Sequence, residues 1–172
     1  MRTFIITLLT AILIISCSSD DNSNPVSTPG DNSTGTFIAE IDGQQFNAST
    51  VRAYPQQNFT VFEGEDATTK AGYDKVWVRI LIRNLNGPRL YAIGEDGNGF
   101  IYNGKSTINF INTSNKDTLV YSGIFVEGFS LVDVTTLSSK RIAGTIGFRA
   151  YENNTSQLDT LDLRDGRFNI TF

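Results

Sequence analysis

Phe37-Ile38-Ala39-Glu40-Ile41-Asp42-Gly43-Gln44-Gln45-Phe46-Asn47-Ala48 is the stretch that decides how the rest of the chain is read. Phe37, Ala39 and Ile41 fall at every second position, and after Asp42-Gly43 the alternation resumes with Phe46 and Ala48. A period of two suits a strand that buries one face. Asp-Gly between two such runs predicts a hairpin, because a type I′ turn needs positive φ at both central residues.

The same period recurs toward the C-terminus. Val76, Val78, Ile80 and Ile82 share one face of a strand over 76–83, opposite Trp77, Arg79, Leu81 and Arg83. Pro88 to Ile93 puts Leu90 and Ala92 opposite Tyr91 and Ile93. Leu119 to Val134, broken by Gly123 and Gly128, reads as two strands or one bulged strand. Arg141 to Tyr151 aligns Ile142, Ile146, Phe148 and Ala150 with a bulge at Gly144, and Arg167 to Phe172 aligns Phe168, Ile170 and Phe172. Turn signals stand at Asn86-Gly87-Pro88, Asp96-Gly97-Asn98-Gly99, Asn103-Gly104 and Asp165-Gly166. No segment after the leader carries a helical period. The expectation is an all-β domain over 36–172, an antiparallel β-sandwich or flattened β-barrel of roughly eight to ten strands.

The N-terminus carries an address. Arg2 is followed by an apolar run from Phe4 to Ile15, twelve residues long. That is signal-peptide length and well short of the ~20 residues of a membrane-spanning helix. Ile14-Ile15-Ser16-Cys17 ends it and resembles the lipobox of bacterial lipoproteins, with residues 1–16 removed and Cys17 lipidated. A diacylglycerol and an N-acyl chain on Cys17 exceed the two lipid signals that stable anchoring needs, and they consume the chain's one thiol.

Residues 17–35 then read as a disordered tether, rich in Ser, Asn, Asp, Thr, Pro and Gly, with Val26 its one aliphatic residue. Its reach is ~23 Å. The opening Cys17-Ser18-Ser19-Asp20-Asp21 resembles the acidic export signal of surface-displayed lipoproteins in the Bacteroidetes. Loss of Arg2 leaves 13 Lys and Arg against 18 Asp and Glu, a net of −5, of which Asp20, Asp21 and Asp31 carry −3. The remaining domain, near −2, has no charge pattern suited to nucleic acid or an anionic membrane surface.

Three stretches together resemble a family of uncharacterised Bacteroidetes lipoproteins: the opening from Phe37 to Ala48, Lys140-Arg141-Ile142-Ala143-Gly144-Thr145-Ile146-Gly147-Phe148, and Asp165-Gly166-Arg167-Phe168-Asn169-Ile170. The resemblance runs from residue 36 to the C-terminus. It implies an all-β domain on the outer membrane and brings no activity, cofactor or catalytic residue.

Composition removes much chemistry. With no His and one Cys among 172 residues, there is no Ser-His-Asp or Cys-His pair, no histidine metal ligand and no internal disulfide. Glu63, Glu65 and Asp66 read as one polar loop, Glu95 and Asp96 as another, with Glu127 and Asp133 on a strand. No spacing singles out the carboxylate pair of a glycoside hydrolase. Asp96-Gly97-Asn98-Gly99 lacks the ligand spacing of a calcium loop. Asp117-Thr118-Leu119 and Asp159-Thr160-Leu161 resemble Bacteroidetes O-glycosylation acceptors, which makes Thr118 and Thr160 candidates for modification. Tyr54, Tyr73, Trp77, Tyr91 and Tyr102, with Phe100 and Tyr121, are candidate binding aromatics, against the competing reading that they pack the sheet. The Phe168, Ile170, Phe172 ending also resembles the last strand of an outer-membrane β-barrel.

The functional expectation is a lipid-anchored, surface-displayed domain that binds or scaffolds, with no enzymatic activity, cofactor or metal. Its expected partners are the membrane, through the lipid, and a glycan or an envelope or host protein. A carbohydrate-binding accessory module is the alternative, ahead of a small outer-membrane barrel or a hydrolase.

Overall fold

The computed structural model describes residues 33–95, 102–153 and 159–171. The lipobox, Cys17, the acidic run Ser18 to Asp21, the loop at Asp96, Phe100 and Phe172 lie outside these residues. Eleven strands follow one another: β1 (Thr34–Ile41), β2 (Gln44–Asn47), β3 (Thr50–Gln56), β4 (Phe59–Ala67), β5 (Lys75–Arg83), β6 (Arg89–Ala92), β7 (Gly104–Ile111), β8 (Thr118–Ile124), β9 (Leu131–Ser138), β10 (Arg141–Glu152) and β11 (Thr160–Thr171). The all-β architecture expected from the sequence is present, as a curled antiparallel sheet that forms a half-barrel.

The hydrogen-bonded order is β2-β1-β11-β10-β8-β7-β5-β4-β3. β10 serves two neighbours along one edge: Arg141–Gly147 pairs with β9, and Arg149–Glu152 pairs with β8. The β9–β6 ribbon therefore branches off where β8 takes over. The curl is visible in the core. Phe62 of β4 stacks on Phe168 of β11 with ring centroids 4.5 Å apart, although β5, β7, β8 and β10 separate those strands along the sheet. Phe37 meets Phe46 and Phe168 edge-on at 5.4 and 6.5 Å, which closes the aromatic centre. Edge-to-face and offset-stacked rings add to plain area burial.

The first hairpin forms as its sequence predicts. Asp42 and Gly43 have φ of 49° and 80°, and Ile41 pairs with Gln44 across them. β5 also keeps its period: Val76, Val78, Ile80 and Ile82 are buried, and their neighbours are half-buried or exposed. Leu119 to Val134 resolves into two strands, β8 and β9. The irregularity at Gly144 is real, with the extra residue, Thr135, on the partner strand.

Four expectations need correction. Asp165-Gly166 is a bulge inside β11, with no hairpin there: Asp165 has φ 48°, and the register jumps from Glu40↔Arg164 to Ile38↔Arg167. The extra residue inverts the parity, so Leu161 and Leu163 point inward before it and Phe168 and Ile170 after it. Glu63, Glu65 and Asp66 belong to β4, not to a polar loop, and Glu127 stands in the β8–β9 connection, not on a strand. β1 begins at Thr34, two residues inside the stretch read as tether. Gly35 approaches β11 so closely that a Cβ there would lie 2.0 Å from the Asn169 carbonyl oxygen. The described residues form eleven strands, in keeping with the expected all-β domain, and β3, β4 and β7 carry too many polar or glycine positions to announce themselves in the sequence.

The apolar residues fill the concave side, and Arg52, Glu63, Arg79, Arg149 and Asp162 occupy the convex side. A transmembrane barrel needs the opposite arrangement, with apolar side chains on the outside.

Candidate functional site

The two ends of the half-barrel differ. β1 and β11 bring Thr34 and Thr171 together at one end. The other end gathers the Asp42-Gly43 turn, the 68–74 connection, the 112–117 turn and the start of β11. Between these segments opens a cavity of about 350 Å³. Its walls are Ile41, Phe46, Val76, Phe110 and Leu161, and its rim is Asp42, Gln44, Gln45, Thr68, Thr69 and Lys70. It exists because β2 is only four residues long and makes no ladder with β4, which leaves a gap. Hydrogen bonds that use side chains cross it: the Asn47 amide donates to Asp66 Oδ2 at 3.1 Å, and the Thr69 hydroxyl donates to Gln44 Oε1 at 3.0 Å.

The 68–74 connection is held in place on its far side. Asn112 Nδ2 donates to the Gly72 carbonyl at 2.8 Å, and the Asp74 carboxylate accepts from both the amide and the hydroxyl of Thr113. Those bonds hold the Asp74 carboxyl below its ordinary pKa, with the Thr113 hydroxyl the main cause. Within the connection the Lys70 amide donates to Thr68 Oγ1, and the Lys70 carbonyl accepts from the Tyr73 amide.

Lys70 Nζ then sits 4.9 Å from the Phe110 ring centre and 5.6 Å from that of Tyr121. Stacking over ring faces restrains an ammonium without neutralising it. Among the described residues Lys70 takes no part in any ion pair. Tyr121 is fully buried and donates to Asp159 Oδ2 at 2.9 Å. Burial first, and Asp159 second, hold its phenol well above the usual range, so it stays neutral.

The convex side holds a different polar cluster. Glu63, 5% exposed, lies in one cross-strand row with Arg52 and Arg79. Arg79 Nε is 3.4 Å from Glu63 Oε2, Arg52 is at 4.0 Å, and the Tyr54 hydroxyl donates to the same carboxylate at 3.3 Å. Burial nevertheless raises the Glu63 pKa, outweighing both guanidinium groups. Beside this row lies a groove of about 250 Å³, lined by Thr50, Arg52, Glu63, Glu65, Trp77 and Ile111.

The candidate aromatics scatter over the molecule. Tyr54 and Trp77 share the convex face but stand on opposite sides of the Arg52–Glu63–Arg79 row. Tyr73 packs on Phe110 at the mouth, with centroids 6.2 Å apart. Tyr102 stacks on Phe125 at 3.8 Å. Tyr91, one of the binding candidates, is a core residue: its ring is fully buried and its hydroxyl donates to the Gly87 carbonyl. Among the described residues no ring contact joins three of these candidates. Thr118 and Thr160 are both exposed, at the first positions of β8 and β11 and at the same end as the cavity.

Lys70, Thr69 and Gln44, which make the mouth polar, carry no motif in the sequence. Only the pairing of β1 with β11 and of β4 with β5 brings their segments together. Among the described residues no three His, Cys, Asp or Glu side chains converge as metal ligands would. No family model, characterised protein or solved structure matches the chain.

Proposed function

We propose that the chain is a lipid-anchored β-domain of the bacterial outer envelope that holds a small ligand in the mouth of its half-barrel. The observation that carries the binding role is the cavity: apolar walls, a few convergent polar groups and a size at the lower end of ordinary ligand pockets (~300–1,000 Å³). The anchoring role rests on the lipobox-like Ile14-Ile15-Ser16-Cys17 and on the polar stretch that follows it. The two fit each other. β1 enters at Thr34, and its eight residues run about 25 Å to the cavity, which therefore opens away from the tethered end.

Outward display follows from the acidic run Ser18 to Asp21. Intact-cell protease accessibility of the wild type beside Cys17→Ala and Asp20→Ala/Asp21→Ala variants tests the address, together with metabolic labelling by a fatty acid. Label lost in Cys17→Ala, and shaving lost in the aspartate variant, are the expected results. An unlabelled wild type overturns anchoring, and a protected, membrane-bound wild type overturns display. Mass analysis of native material reads Thr118 and Thr160 in the same preparation.

A carbohydrate-binding module is the second reading, favoured by the groove that sets the Trp77 ring beside Glu63 and Glu65. Glycan binding that falls on Trp77→Ala and is untouched by changes at the mouth supports it.

A further inference from the structure

We infer that the mouth selects a small monoanionic amphiphile, a carboxylate head on a short aliphatic or aryl tail, with Lys70 as the seat of the head group. This deepens the ligand-holding reading above and rests on it. Four features converge. Lys70 is one of the cavity's own lining residues and the one cation among the described ones. Its ammonium is positioned by two aromatic rings and makes no ion pair among the described residues.

Among the described residues of this end Asp74 accepts from Thr113, Asp117 from Asn115, Asp159 from Tyr121 and Asp66 from the Asn47 amide, while Glu152, paired with Tyr121 across the strands, makes no ion pair with Lys70. Asp42, the one carboxylate among the described lining residues, disfavours an anion beside it. Below Lys70 the walls turn apolar, through Phe110 and Val76 to Phe46 and Leu161. A tail there leaves water while its carboxylate meets Lys70 and the Thr69 hydroxyl at the rim. A charge-assisted contact at a half-desolvated rim is stronger than the same pair in open water.

The test titrates the full chain with octanoate, octanol and octylamine, three probes that share a tail and differ in the head. Octanoate should bind saturably and about tenfold more tightly than octanol, and octylamine most weakly. The octanoate preference should shrink with added salt. Lys70→Gln should bring octanoate down to the octanol level and leave octanol unchanged. Ala67→Trp, at the rim end of β4, should block all three while the thermal transition persists.

Equal binding of the three probes, or an octanoate preference that survives Lys70→Gln, overturns the charge selection while the mouth stands as a site. No binding of any probe by a folded chain overturns the mouth itself, and with it the ligand-holding reading.

Discussion

Lys70 at the mouth and Glu63 on the convex face are both charges set among aromatic and polar neighbours, yet their surroundings are opposite. Glu63 is surrounded by partners: Arg79, Arg52 and the Tyr54 hydroxyl, with Arg79 further held by Gln56 Oε1 at 2.8 Å. Each of those partners belongs to the sheet itself. Lys70 lines open space, held near two rings, and makes no ion pair among the described residues. The difference separates a charge that holds a sheet together from one that is available to a ligand. Saturated polar networks serve rigidity, whereas an unpaired charge at a cavity is a vacancy for a partner.

The largest expected effect belongs to the core that both regions share. Phe168 touches Phe62 from one arm of the curl and Phe37 from the other. Phe168→Ala should cost about 3–5 kcal/mol in chemical denaturation and abolish probe binding along with the fold.

Next comes Glu63→Ala, which empties a nearly buried position and strips the Tyr54 hydroxyl and Arg79 of the oxygen atoms that even a neutral carboxyl would keep beside them. Arg79 keeps a quarter of its side-chain exposure, so the loss is discounted from the fully buried case to about 2 kcal/mol. Lys70→Gln, by contrast, should stay within about 0.5 kcal/mol of wild type. If the two variants destabilise alike, the distinction between a structural and an available charge fails.

The pH dependence sharpens the same contrast. Asp162 accepts two bonds from Arg149, at 2.7 and 2.9 Å, and one from Arg164, which together lower its pKa from 3.8 to about 2. A lowered carboxyl stabilises the fold above its unfolded value, and that contribution disappears as pH falls from about 3.8 to about 2. Glu63 works in the other direction. Its raised pKa means the ionised form is disfavoured in the fold, so protonating it on descent toward pH 4.5 adds stability. Acid titration of stability should therefore rise slightly before it falls. Asp162→Asn should make the fall below about 3.8 shallower, leaving the share that Asp74 contributes, and Glu63→Gln should remove the preceding rise.

A modest effect is expected at the Thr69–Gln44 bridge. Thr69→Val should cost about 0.5–1 kcal/mol, since the bond is exposed. It should loosen the probe more than the fold, seen as a faster off-rate.

Reading these strands from sequence succeeded where one face is buried without interruption. β5, the first hairpin and the second half of β10 keep their period, and each was legible. β4 was not, because on its convex side Glu63 is buried as a charge and Val61 beside it as an apolar residue, so the strand lacks a clean alternation. β11 was half legible: the bulge at Asp165 inverts the parity, so its two halves read as unrelated, and Asp-Gly there imitates a turn. The mouth was not legible at all. Its walls come from β1, β2, β4, β5, β7 and β11, and its polar rim from a connection whose residues are ordinary loop residues in isolation. The aromatics, conspicuous in the sequence, went mainly to packing, and Tyr91 and Tyr121 lie wholly inside.

Amide chemical-shift mapping of octanoate on the full chain separates the two regions directly. Saturable shifts are expected at Gln44, Phe46, Thr69, Lys70 and Phe110, with Thr50, Glu63 and Trp77 unmoved. Shifts centred on Trp77 and Glu63, with the mouth silent, contradict it and make the convex face the binding surface.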